Sequence, residues 1–120
     1  MNLTILSNLY NGVCYKLEGT LYYIKGGRAY RFFSDRAFQS WHLTPVDAEY
    51  VWPPDFMATK TLGFRDGTLI QNAKDGKIYL ISDARRLLLT SPLSDYGFDI
   101  SQVVEVSNKE VEFHIEGEEI

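Results

Sequence analysis

D-G-K-I-Y-L-I-S-D-A-R-R-L-L-L-T-S, Asp75 to Ser91, is the stretch whose reading decides the fold. It holds an apolar run, Ile78, Tyr79, Leu80 and Ile81, then a turn, Ser82-Asp83-Ala84, then a second run, Leu87, Leu88 and Leu89. Two runs of strand-forming residues joined by a short polar turn read as a hairpin. At a shift of 57 positions (Asp75 against Glu18) stands E-G-T-L-Y-Y-I-K-G-G-R-A-Y-R-F-F-S, Glu18 to Ser34. The doubling is more informative than either copy.

From Gly19 and Gly76 onward the halves align without a gap for about 30 residues. Leu21 matches Ile78, Tyr22 matches Tyr79, Ile24 matches Ile81 and Arg28 matches Arg85. Further on, Ser34 matches Ser91, Trp41 matches Phe98, Leu43 matches Ile100 and Val46 matches Val103. The matches fall mainly at apolar and turn positions, as when a fold unit rather than a catalytic site is duplicated. A turn signal and a strand-length segment precede each copy: Asn11-Gly12 before 13–17, and Asp66-Gly67 before 68–73. Second turns stand at Glu18-Gly19 and Asp75-Gly76.

After Ser34 and Ser91 the apolar period lengthens. Ser34 is a predicted N-cap, with Ala37, Phe38 and Trp41 on one helical face. In the second copy Ser91 is the predicted cap, Pro92 the first helical residue and Gly97 the stop. A strand is predicted at 103–106, with a more polar counterpart after Val46. Residues 3–6 read as a short edge strand. Pro53-Pro54 marks an ordered crossover with Trp52, Phe56, Met57 and Leu62 to bury. In the tail, Val111, Phe113 and Ile115 alternate, which predicts a strand with one polar face.

The expected fold is mainly β, a β-rich α+β chain. Two similar strand–turn–strand–short helix–strand repeats, 10–52 and 65–107, are followed by a C-terminal strand and tail, 108–120. Repeats of this size bury too little apolar surface alone, so one compact domain over 1–120 with a shared core is expected.

Composition narrows the function. Net charge is −4 and no Lys/Arg run stands out, which argues against a nucleic-acid partner. No apolar run approaches the roughly 18 residues of a membrane span. The N-terminus lacks a basic region and a small-residue cleavage site, so no signal peptide is expected. Cys14 is the single cysteine, which excludes an intrachain disulfide and a cysteine-cluster metal site. His42 and His114 have no second histidine at ligand spacing and read as solvated or hydrogen-bonded. Cys14 has no local base and reads as a small buried apolar residue. Asp47, Glu49, Glu116, Glu118 and Glu119 read as solvated acids. No catalytic set, cofactor or metal is expected.

The Arg- and aromatic-rich first copy carries the candidate site. On a strand, Arg28, Tyr30 and Phe32 share one face while Ala29, Arg31 and Phe33 share the other. Both faces hold an aromatic. One face could form the repeat's core and the other pack on the sister repeat, or a patch could stay exposed for a partner. The candidate partner contacts are Tyr23, Arg28, Tyr30, Arg31, Phe33, Trp41, Trp52 and Phe56, with Tyr10 and Tyr50 extending them.

The second copy's Gly67-Thr68-Leu69, Ile78-Tyr79-Leu80-Ile81, Arg85-Arg86, Phe98 and Val103 to Ser107 form one pattern. The first copy's Gly27-Arg28, Tyr30, Phe32, Ser34, Phe38 and Trp41 follow it too. The doubled pattern resembles a short repeat, often in tandem, of bacterial cell-surface and S-layer-like proteins, some cell-wall proteins and phage structural proteins. The resemblance covers 11–51 and 66–107. Copy one departs in a lead-in two residues shorter and in lacking the full V-V-E-V-S ending. Copy two departs in Asp83-Ala84, where the pattern prefers a glycine turn. The resemblance implies a β-rich adhesion or assembly module with no catalytic residues to carry over.

Together with the absent export signal, this makes the expected function that of a non-enzymatic structural protein, a phage virion component decorating the head or belonging to the tail or fibre. Its partners would be capsid or tail proteins, with several copies per assembly. A glycan or cell-wall binding module is the alternative, with sugar rings stacking on Trp41, Trp52, Tyr23 and Tyr30. A small hydrolase using His42 or Cys14 is a third reading.

Overall fold

Strands of three to six residues cannot stand alone, and their pairing is what assembles this chain. The computed structural model describes residues 12–47 and 60–120. The edge strand expected at 3–6, the Pro53-Pro54 crossover, Tyr10, Tyr50 and the candidate contacts Trp52 and Phe56 lie outside the described residues. The chain divides into two compact units, Met1–Leu62 and Gly63–Ile120.

In the first unit β1 (Cys14–Leu17), β2 (Thr20–Lys25) and β3 (Arg28–Tyr30) form an antiparallel meander. The β1–β2 turn places Glu18 and Gly19 at φ 51 and 83, and the β2–β3 turn places Gly26 and Gly27 at φ 58 and 73. Two left-handed residues in a two-residue turn match the right-handed twist of the flanking strands. Next comes α1 (Asp35–Gln39), where Ser34 Oγ accepts the Ala37 N–H at 3.1 Å, the predicted cap. β4 (Val46–Asp47) returns parallel to β1, giving the order β3-β2-β1-β4. Beyond β3, the Leu62 N–H donates to Arg31 O and its carbonyl accepts the Phe33 N–H, both at 2.8 Å.

The second unit is a five-stranded sheet in the order β8-β5-β6-β7-β9. β5 (Leu69–Asn72), β6 (Ile78–Ser82) and β7 (Arg85–Leu88) are the meander, and β8 (Val103–Val106) lies parallel to β5. After β8 come α2 (Asn108–Phe113) and β9 (Ile115–Glu116), which lies parallel to β7. The fold is β-rich, with sheets of four and five strands and a few short helices.

Two expectations need correction. Residues 108–113, read from their alternation as a strand, form α2. The cause is a capping box: Ser107 Oγ accepts the Glu110 N–H at 3.2 Å, and Glu110 Oε1 accepts the Ser107 N–H at 3.0 Å. Strand pairing resumes only at Ile115. The second copy's helix is a 3₁₀ turn, Leu93–Tyr96, capped by Pro92 rather than by the Ser91 side chain. Here Tyr96 Oη accepts the N–H groups of Thr90 and Ser91 at 3.2 and 3.1 Å. Gly97 does end the turn, at φ 77.

Buried side chains in the first unit are Cys14, Tyr22, Ile24, Ala29 and Ala37. In the second they are Phe64, Leu69, Ile70, Ile81, Val106 and Val111, with three polar residues, Asn72, Glu110 and His114. Each buried polar group has a partner. Asn72 Oδ1 accepts the Lys74 N–H, and its amide donates to Asn108 Oδ1 at 2.8 Å, tying the end of β5 to the start of α2. Ser107→Ala and Glu110→Ala should each lower the stability of the full chain by about 1 kcal/mol, read by chemical denaturation. The double variant should lose less than the sum, because the two bonds form one box.

Candidate functional site

Cross-strand register builds the first unit's aromatic surface. Tyr23 on β2 stands opposite Tyr30 on β3, and strand alternation carries Phe32 to the same side. One turn of helix beyond the Ser34 cap, Phe38 and Trp41 project from α1 and its C-terminal end. Trp41 lies 5.0 Å from the Tyr23 ring and 6.3 Å from Phe32, and Phe38 meets Phe32 edge-on at 5.2 Å. The four rings hold one another at tilted and edge geometries favoured by their quadrupoles.

The cluster is only half buried: Tyr23, Tyr30, Phe32, Phe38 and Trp41 all keep part of their surface in water. On the other side, Arg31 sets its guanidinium 5.8 Å from the centre of the Tyr22 ring. Phe33 is 41% exposed, and Arg28 and Arg31 are exposed. The structure therefore brings Tyr23, Tyr30 and Trp41 to one surface and sets Arg31 on the other, over Tyr22. Phe32 and Phe38 complete the cluster although they were not among the candidate contacts. Their signals were present as the strand period from Tyr30 and the i, i+3 spacing from Phe38 to Trp41.

The residues weighed for chemistry sit elsewhere. Cys14 is 1% exposed, and burial pushes its thiol pKa up, away from thiolate. His42 is exposed, at φ 52. Among the described residues no group of three or more His, Cys, Asp or Glu is placed to hold a metal ion.

His114 is the residue whose role pattern reading missed. It is 2% exposed. Its Nδ1 lies 2.8 Å from Ala84 O, and its Nε2 lies 3.0 Å from Phe64 N. A carbonyl can only accept and a backbone N–H can only donate. The proton is therefore on Nδ1, Nε2 is bare, and the ring is neutral. The Phe64 ring packs 5.9 Å from the imidazole and the Phe113 ring 5.4 Å from it. Arg86 donates from Nη1 to the carbonyls of His114 and Val111 at the C-terminal end of α2. Its other nitrogen stands 4.0 Å from Glu116. The Asp83-Ala84 turn, at φ 52 and 60 without glycine, is held by the same group. Asp66 Oδ1 accepts the Ala84 N–H at 3.1 Å, and His114 takes the Ala84 carbonyl.

Comparison with protein-family models, with curated proteins and with solved structures gives no match.

Trp41→Ala should destabilise the chain by about 2 kcal/mol, a half-buried fraction of the usual aromatic truncation. Phe33→Ala should change stability by no more than about 0.5 kcal/mol. Thermal denaturation of the two variants separates the ring that builds the aromatic surface from the exposed ring on the opposite face. Gly63→Ala should destabilise by about 2 kcal/mol or more, because the added methyl would press on the His114 imidazole and sit 2.7 Å from Phe113 Cε2.

Proposed function

We propose that this chain is a non-enzymatic structural protein that works through protein–protein contacts, as a component of a phage particle bound to capsid or tail proteins. The observation that carries the reading is the first unit's surface. Its rings are fixed by two strands and a capped helix yet left half open, with Arg28 exposed on the same face and Arg31 and Phe33 exposed on the opposite one. Aromatic and arginine side chains contribute disproportionately to protein interfaces, the aromatics because they bury large areas at little entropic cost and arginine through its planar fork of donors.

A duplicated module underlies the proposal, and the register of the two sheets supports it. Cys14 faces Tyr23 as Leu69 faces Leu80, and Tyr15 faces Tyr22 as Ile70 faces Tyr79. Tyr23 faces Tyr30 as Leu80 faces Leu87, and Ile24 faces Ala29 as Ile81 faces Arg86. The closing contacts correspond as well. Leu62 bonds to Arg31 and Phe33, while Ile120 bonds to Leu88 and Thr90, and the shift of 57 carries Arg31 to Leu88 and Phe33 to Thr90. On this reading the copies keep one backbone scaffold. The first presents aromatics and arginine, whereas the second, together with the tail that follows it, carries most of the acids.

The test is incorporation into particles. Phage particles purified from the source should contain the chain by mass spectrometry. A photo-crosslinking residue at Phe33 should join it to a capsid or tail protein, and Arg31→Glu should reduce incorporation at least about tenfold, the loss of one interface hot spot. Absence of the chain from purified particles, or full incorporation of Arg31→Glu and Phe33→Ala variants, would overturn the proposal.

A further inference from the structure

One imidazole joins three segments of the second unit that are distant in sequence. His114 follows α2, Ala84 lies in the β6–β7 turn, and Phe64 lies ahead of β5. The ring gives one donor to the Ala84 carbonyl and one acceptor to the Phe64 N–H, and neither partner can change its polarity. An imidazolium is a donor at both nitrogens. It cannot keep both bonds, whichever group yields. Nε2 already meets the Phe64 N–H and lies against Gly63, where an added methyl would overlap the ring. A second N–H at that nitrogen would face a donor.

None of the three segments is a loose end. The Gly67 N–H donates to Ile81 O, Asp66 Oδ1 accepts the Ala84 N–H, and Arg86 holds the carbonyls of His114 and Val111. Loss of one ring bond is therefore not absorbed by a free length of chain. Either a partner of the ring is left unpaired, or the ring leaves a position that is 2% exposed. Both outcomes cost stability of the folded unit.

We infer that His114 makes the second unit acid-sensitive: the folded unit holds the neutral imidazole, and uptake of one proton at His114 shifts the unit toward its unfolded state.

The charged groups on the surrounding elements are Arg65 and Asp66 ahead of β5, Asp83 in the turn, Arg86 on β7, Glu110 on α2 and Glu116 on β9. Burial is the largest influence on the ring, and it lowers the His114 pKa from its ordinary 6.5. Asp66 favours the imidazolium and Arg86 opposes it. Glu110 is engaged by the Ser107 N–H, and Glu116 stands beside Arg86. The sign follows. The unfolded chain binds the proton more readily than the folded one. The stability that the neutral ring contributes is therefore fully present above pH 6.5 and is lost as pH falls below it toward the folded value.

Among the described residues, the buried polar side chains Asn72, Glu110 and His114 all belong to the second unit. His42, the other of the chain's 2 histidines, is exposed in the first. The shift of 57 sets Met57 against His114, so the sequence puts a titrating group at this position in the second copy alone.

Chemical denaturation of the full chain from about pH 7.5 to about pH 5, a range above the ordinary carboxylate values, tests the inference. The amide cross-peaks of Ile70 and Ile81 report the second unit. Its unfolding equilibrium constant should rise as pH falls below 6.5, by up to about tenfold per pH unit, the limit for one linked proton. The rise should continue to the pH at which the folded imidazole titrates, followed by its ¹⁵N shifts, and level off beneath it. Those shifts should report the Nδ1–H tautomer at neutral pH. His114→Gln should abolish the pH dependence and His42→Gln should retain it. Should His114→Gln not fold, the agreement between wild-type stability and ring titration decides alone. A flat profile, a folded ring that titrates at or above 6.5, a slope that survives in His114→Gln or one that vanishes in His42→Gln would each overturn the inference.

Discussion

A four-residue strand with partners on both sides is the constraint on which the second unit depends. β5 takes β6 antiparallel along one edge and β8 parallel along the other. Leu69 is buried on one face of the sheet, and Ile70 and Asn72 are buried on the other. A strand buried on both faces requires cover on both sides, and this strand is too short to supply it. The cover comes from later in the chain, with Val111 and His114 of the α2 region among the buried residues. β1 has the same place in the first unit, between β2 and β4. Parallel return of β4 and β8 forces a long connection after each meander, and that connection is where each helix or 3₁₀ turn lies.

The connections also decide what each unit can present. In the first, the α1 cap at Ser34 sets Phe38 and Trp41 against the β2–β3 pair, and the result is a rigid but half-open aromatic surface. In the second, the chain continues through a capped helix into β9, and the polar interior there is fully bonded. Burying Asn72, Glu110 and His114 would each cost about 1–3 kcal/mol without partners. With partners they fix the joint between sheet and helix at specific atoms. The Asp83-Ala84 turn shows how such bonds offset a local penalty. A non-glycine residue in the left-handed region costs about 1 kcal/mol or more. Here the Ala84 N–H and carbonyl are both taken, by Asp66 and His114.

Legibility from sequence followed the range of the interaction. The meanders were readable because alternation and turn residues act over two to four positions, and the N-cap at Ser34 was readable for the same reason. The tail was misread because Val111, Phe113 and Ile115 satisfy a period of two, while the deciding signal was the Ser107–Glu110 box just ahead of them. That signal is the S-x-x-E spacing in the sequence, and it prevails because the two side chains satisfy two N–H groups at the helix start. The candidate contacts were readable as residue types. Which of them share a surface depended on strand register and helix placement together.

What the sequence by itself determined is the strands of the two meanders and their hairpin turns, because these rest on contacts between near neighbours. Tertiary structure alone decided the role of His114. Its two partners stand 50 and 30 positions away, and neither is a side chain. A backbone N–H and a backbone carbonyl are present at nearly every residue, so no residue type marks them in advance. Only the packing of α2 on the sheet brings them to the two nitrogens of one ring and fixes its protonation state.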